Sequence, residues 1–215
     1  MRKRRDMHPA SIETMGVPRL VLTHGQAIWL LCDLGFDHGV KRSTFNYYVK
    51  SLRKLGVPFD PANDRSSGRR RITYGFDEMM ELSLALLLRV YGTLPDAVTT
   101  GLQKFRDQLR PIYHQAYLDL LSPRYPSASI SMVGANRVLM SGLYLDLNLR
   151  YAAGQMVTFG PPRTLSPFEA LCIYVQSEAS ARSYLPINIS SLAGLVLARS
   201  KQVPAARRGR RPKQS

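Results

Sequence analysis

Acidic residues are scarce in this sequence. Its 215 residues include 15 Asp and Glu against 30 Lys and Arg, a formal net charge of +15. A surplus of that size favours polyanionic partners, either nucleic acid or an anionic membrane surface. Cysteine is almost missing. Cys32 and Cys172 lie far apart, each in an expected helix, which argues against a disulfide framework and for two buried free thiols. No apolar run approaches the roughly 18 residues of a membrane-spanning helix. The basic start MRKRRDMHPA has no apolar stretch behind it and does not read as a secretory signal. The expected location is therefore cytoplasmic, associated with the nucleoid, with no membrane partner.

Catalytic constellations are missing as well. No Ser/His/Asp set, paired carboxylates or phosphate-binding loop is recognisable, and several of the few acids sit at helix starts. An enzyme is not expected. His24, His38 and His114 are scattered, and Cys32 with His38 lacks the remaining ligands of a tetrahedral metal site. Each histidine reads as a surface or internally satisfied residue, and neither metal nor cofactor is expected.

What is present is basic charge in three places. Residues 1–6 carry +3, residues 199–215 carry +7 with no acid, and residues 41–75 carry +7, leaving the remainder close to neutral. Residues 1–18 read as a disordered basic arm and 201–215 as a disordered basic tail. The internal cluster falls among folded elements.

A helix is expected from Thr23 through AIWLLCDLG to a stop at Gly35. After a turn, Ser43 is placed to cap a second helix, TFNYYVKSLRKLG, ended by Gly56 and Pro58. Phe45, Tyr48, Val49, Leu52 and Leu55 make its apolar face. The loop VPFDPANDRSSG and the strand-like RRRITY together read as a hairpin, or wing. Asp77 and Glu78 suit the first turn of an apolar helix to about Tyr91. Pro95 opens another helix, whose Val98, Leu102, Phe105, Leu109, Ile112 and Ala116 form a heptad-like stripe. Pro111 is expected to kink or split it, and the stripe fits either core packing or a dimer seam.

A composition break at 121–131 marks a domain boundary. Beyond it, LYLDLNLRY alternates strictly, so Leu143 to Tyr151 reads as one half-buried antiparallel strand. QMVTFG follows as a second strand. Ser166, Pro167 and Glu169 form a helix start of the capping-box type, and LPINIS and SLAGLVLARS add an extended piece and a last helix. The organisation expected is a mainly α winged helix-turn-helix domain over 19–121, followed by a small α+β domain over 132–200.

A helix, a turn, a second helix with a basic polar face and a basic hairpin suit duplex DNA: the helix enters the major groove while arginines reach flanking phosphates. GVKRSTFNYYVKSLRKLGV resembles the turn and recognition helix of MerR-type regulators, with Gly39, Val40, Thr44, Phe45, Tyr47 and Tyr48 in register. SGRRRITYGFDEMMELSLALLLRVYGTLPDAV resembles that family's wing and following helices. The resemblance spans about residues 20–110, roughly half the chain. It implies that Arg42, Thr44, Tyr47 and Lys50 lie at or near DNA and that Arg69, Arg70 and Arg71 belong to the wing. Asn46 stands where the family has arginine, and the first helix and the loop before the wing are longer than usual.

The full expected DNA surface is Lys41, Arg42, Ser43, Thr44, Asn46, Tyr47, Lys50, Arg53, Lys54 and Arg69–Arg71. The leading expectation is a sequence-specific transcriptional regulator of bacterial type. It would be a homodimer, because one recognition helix reads few base pairs, with an effector or protein partner at the C-terminal domain. Two alternatives stand beside it. One is an architectural, excisionase-like or plasmid-maintenance DNA-binding protein. The other is a protein-interaction adaptor whose basic surface is incidental.

Overall fold

A computed structural model describes residues 19–59, 72–90, 95–121, 142–147, 150–152, 155–158, 160–180 and 186–205. The expected arm over 1–18, the part of the expected wing that carries Arg69–Arg71 and the composition break after Leu121 lie outside the described residues. The architecture is mainly helical with small antiparallel sheets. No described helix is long and apolar enough to cross a membrane.

The chain enters through strand β1 (Leu22–Thr23) and passes directly into helix α1 (His24–Asp33). Thr23 and Gln26 cap α1 reciprocally, the Thr23 N–H donating to Gln26 Oε1 at 2.9 Å. At its far end Gly35 takes φ +82°. Its N–H reaches the Cys32 carbonyl while the Phe36 N–H reaches Leu31, and a positive φ at that position favours glycine. Helix α2 (Arg42–Lys54) ends by the same device at Gly56, φ +89°, with the Val57 N–H on Leu52. Its start differs from expectation. Lys41 is the N-cap residue, and Ser43 lies within the first turn without making a cap.

Strand β2 (Thr73–Tyr74) pairs with β1, Leu22 opposite Tyr74 and Thr23 opposite Thr73. The described part of the expected hairpin is thus joined to the strand before α1. Helix α3 (Phe76–Val90) follows and is buried on almost every side, from Phe76 through Leu88. Helix α4 (Pro95–Leu121) runs unbroken through Pro111. Val98, Leu102, Phe105, Leu109 and Ala116 are buried within the monomer, so the heptad-like stripe is core rather than a dimer seam.

Leu143–Tyr151 does not form one strand. It divides into β3 (Tyr144–Asp146) and β4 (Arg150–Ala152). β4 pairs with β5 (Gln155–Thr158), whereas β3 lies between β6 (Arg163–Leu165) and β7 (Ile187–Asn188). Both faces of β3 are covered. Leu145 joins the main core, and Tyr144 packs with Leu165 and Ala170 in a smaller cluster. Helix α5 (Pro167–Ser180) begins with the expected box, Glu169 Oε2 accepting the Ser166 N–H at 2.7 Å. Both cysteines are free, and each is half-buried rather than fully enclosed.

The last helix, α6 (Ile189–Ser200), lies against α4, α3 and α1. Ile189, Ala193 and Val196 belong to the same core as Leu30, Met80 and Leu102. The chain then continues over 201–205, where Val203 packs on that core and the Pro204 carbonyl accepts from Gln26 Nε2 at 3.0 Å.

Helices α3 and α4 are joined by charge as well as packing. Asp77 meets His114 at 2.8 Å, Glu78 meets Arg110 at 3.7 Å, and Glu81 meets Arg106 at 2.6 Å. The four-residue spacing of Arg106, Arg110 and His114 puts all three on one stripe of α4. Glu81 is only 2% exposed. Burial pushes its carboxyl up, opposed by the Arg106 guanidinium, and the forked geometry is that of an ionised pair. Removing one member of a buried pair strands the other charge. Arg106→Ala is therefore expected to lower stability by about 3 kcal/mol, measured as a shift of the urea unfolding midpoint at unchanged slope.

Candidate nucleic-acid interface

Phe45, Val49 and Leu52 fix the orientation of α2. All three are essentially inaccessible, and each such burial stabilises by about 2 kcal/mol. Their four- and three-residue spacing sends the opposite face outward. Thr44, Tyr47, Lys50 and Lys54 are exposed on it, with Lys41, Arg42 and Ser43 at its N-terminal end. Tyr47 is 70% exposed, a large aromatic ring carried outward in the middle of a basic surface. Asn46 and Arg53 are half-buried at the margin. Arg69, Arg70 and Arg71 lie outside the described residues.

The charge on this face is uncompensated from within. Helix α2 contains no acid, and Lys41, Arg42, Lys50 and Lys54 make no ion pair among the described residues. Arg53 and Lys54 suit the negative end of the helix dipole. Lys41 and Arg42 oppose the positive end, which is destabilising unless an anion arrives there.

Contacts at three places hold the helix. At its C-terminal end Gln103 of α4 donates to the Leu55 carbonyl, and Arg106 Nη2 donates to the Gly56 carbonyl at 2.5 Å. Those bonds satisfy carbonyls left open by the helix end and tie α2 to the Glu81 fork. On the flank, the Arg89 guanidinium of α3 lies 3.7 Å over the Tyr48 ring. That stacking leaves Tyr48 at the edge of the core, where burial pushes its hydroxyl pKa up.

The third contact involves His24 at the start of α1. Its Nε2 lies 2.8 Å from Asn46 Oδ1 and its Nδ1 lies 2.9 Å from the Tyr74 hydroxyl. Three elements meet there, α1, α2 and β2, and the Tyr74 ring also packs against Phe59 at 5.1 Å. Burial lowers the His24 pKa, opposed by its bond to Asn46, with Arg53 and Lys50 lowering it further. His24, Gly25, Ile28, Arg42, Ser43 and Asn46 line an open cleft of about 310 Å³ between the first turns of α1 and α2.

Sequence reasoning brought the α2 residues together but missed His24, Tyr74, Gln103 and Arg106. His24 meets partners 22 and 50 residues away, separations that no local pattern signals. The spacing of Arg106, Arg110 and His114 was the one available hint of the clamp.

The described residues form a mainly helical fold in which α2, rich in Lys and Arg and without an acid, has one face exposed. No protein-family model, curated protein or solved structure matches the chain.

The His24 contacts carry a pH dependence. Because the folded-state pKa is lowered, the unfolded chain binds the proton more readily below about pH 6.5. The stabilisation from neutral His24 is full above that pH and is lost as pH falls through the folded-state value. Urea midpoints of the native protein and His24→Gln are expected to differ most at pH 8 and to converge towards pH 5.

Proposed function

We propose that the chain binds duplex DNA through α2 and acts as a sequence-specific transcriptional regulator. The observation that carries this reading is the division of α2: one face is locked into the core, and the other presents Lys41, Arg42, Thr44, Tyr47, Lys50 and Lys54 without an acid. A helix held rigidly, with cations and short polar side chains outward, has the form and charge to enter a major groove. Cations at the positive end of the dipole are best matched by a phosphate. Arg69–Arg71 add charge in the sequence before β2, and residues 206–215 add five more Lys and Arg.

The assembly expected is a homodimer, since one helix reads few base pairs. An exposed apolar stripe on α5, Phe168, Leu171 and Val175, favours an additional protein contact in the C-terminal part. It lies away from α2 in sequence and supports a partner beside DNA binding.

Selection from a random duplex pool with the full chain is expected to return a preferred site, palindromic for a homodimer. Lys50→Ala and Lys54→Ala should each weaken binding to all sequences similarly. Each should also reduce the slope of log affinity against log salt by about 0.9, for one lost phosphate contact. Weak binding with no preferred site across the salt series would rule out the regulator.

A further inference from the structure

We infer that His24 is a positioning residue for the DNA interface: it turns the Asn46 oxygen inward and so presents the Asn46 amide N–H₂ to a hydrogen-bond acceptor on the duplex. The inference rests on the proposed DNA-binding role of α2 and assigns a chemical role to a residue off that helix.

Asn46 lies on the stripe that runs from Arg42 to Lys50, one turn from each, and lines the open cleft with Arg42 and Ser43. An asparagine amide has an accepting end and a donating end. With Oδ1 at 2.8 Å from His24 Nε2, that nitrogen must carry the proton. The other ring nitrogen then accepts, and the Tyr74 hydroxyl at 2.9 Å donates to it. One neutral tautomer satisfies both contacts. Tyr74 is fully buried, and its ring is fixed by β2 and Phe59, so its hydroxyl has a defined direction. Burial, and after it Arg53 and Lys50, work against a charged imidazole, in keeping with Nδ1 as the acceptor.

This chain of bonds restricts what Asn46 recognises. A bidentate contact to adenine needs the amide oxygen and nitrogen both facing the base edge. Here the oxygen faces His24, and only the N–H₂ end is left for the cleft. The matching partner is an acceptor: a phosphate oxygen, or a base-edge acceptor such as guanine O6 or N7, adenine N7 or thymine O4. Neither His24 nor Tyr74 needs to touch DNA for this to hold.

The test is a double-mutant cycle on the full chain with its selected duplex, using His24→Ala, Asn46→Ala and the pair. Each single change is expected to weaken specific binding about fivefold, the range of one hydrogen bond, and the pair should be no weaker than Asn46→Ala alone. His24→Gln, which keeps a donor for Asn46 Oδ1, should recover most of the loss. Nitrogen NMR of the imidazole is expected to show the Nε2–H tautomer in the native chain and a tautomer mixture in Tyr74→Phe. If Asn46→Ala weakens all sequences equally, the acceptor is a phosphate. If the loss is confined to one base-pair position, the acceptor is a base edge at that position. Additive losses, or an Nδ1–H tautomer, overturn the assignment of His24 while leaving the DNA reading intact. A native chain that binds no duplex overturns both. Where His24→Ala does not fold, the comparison of His24→Gln, Tyr74→Phe and Asn46→Ala decides in its place.

Discussion

The fork between Glu81 and Arg106 joins three helices at one point. Glu81 is inside the most buried helix, Arg106 is on the longest one, and the same guanidinium reaches the carbonyl that closes α2. A carboxylate at that depth is tolerable only with a partner that satisfies both of its oxygens, so α3 and α4 have a strongly preferred register. Asp77–His114 and Glu78–Arg110 repeat the register along the same seam. The angle at which α2 leaves the core is then set from its C-terminal end by Arg106 and Gln103.

That arrangement also sorts the chain's charge into two kinds. Arg106, Arg110 and Arg163 face acids within the fold, Arg163 meeting Asp146 at 2.8 Å. Lys41, Arg42, Lys50 and Lys54 on the α2 face make no ion pair among the described residues, because α2 has no acid and the acids of α3 point to α4. With few acids in the chain, using them at the α3–α4 seam leaves the α2 face strongly positive. Scarcity of acid thus serves two ends, a fixed internal register and an uncompensated surface.

Legibility followed the range of the interactions. The start of α1, the glycine ends of α1 and α2, the opening of α4 at Pro95 and the Ser166–Glu169 box each depend on residues within a few positions and were readable. The α2 start was misplaced because Ser43 is a good capping residue by type, while the helix begins two residues earlier, at Arg42 with Lys41 as N-cap and no side-chain cap. The alternation from Leu143 to Tyr151 suggested one strand, but β3 is enclosed between β6 and β7 while β4 turns to β5. Periodicity states which residues face one way and says nothing of where a sheet ends. Asn46 stands where the resembled family has arginine, and its contact with His24, 22 residues away, is one that no local pattern signals.

The sequence by itself determined the amphipathic character of α2, its basic face and the absence of acids from it, because these follow from a 3.6-residue period and formal charge. Only the tertiary structure decided that the α4 stripe is core, that α6 completes the core of α1, α3 and α4, and that His24, Asn46 and Tyr74 meet. Those outcomes depend on contacts between residues far apart in the chain, where packing and desolvation choose among partners that local pattern leaves equivalent.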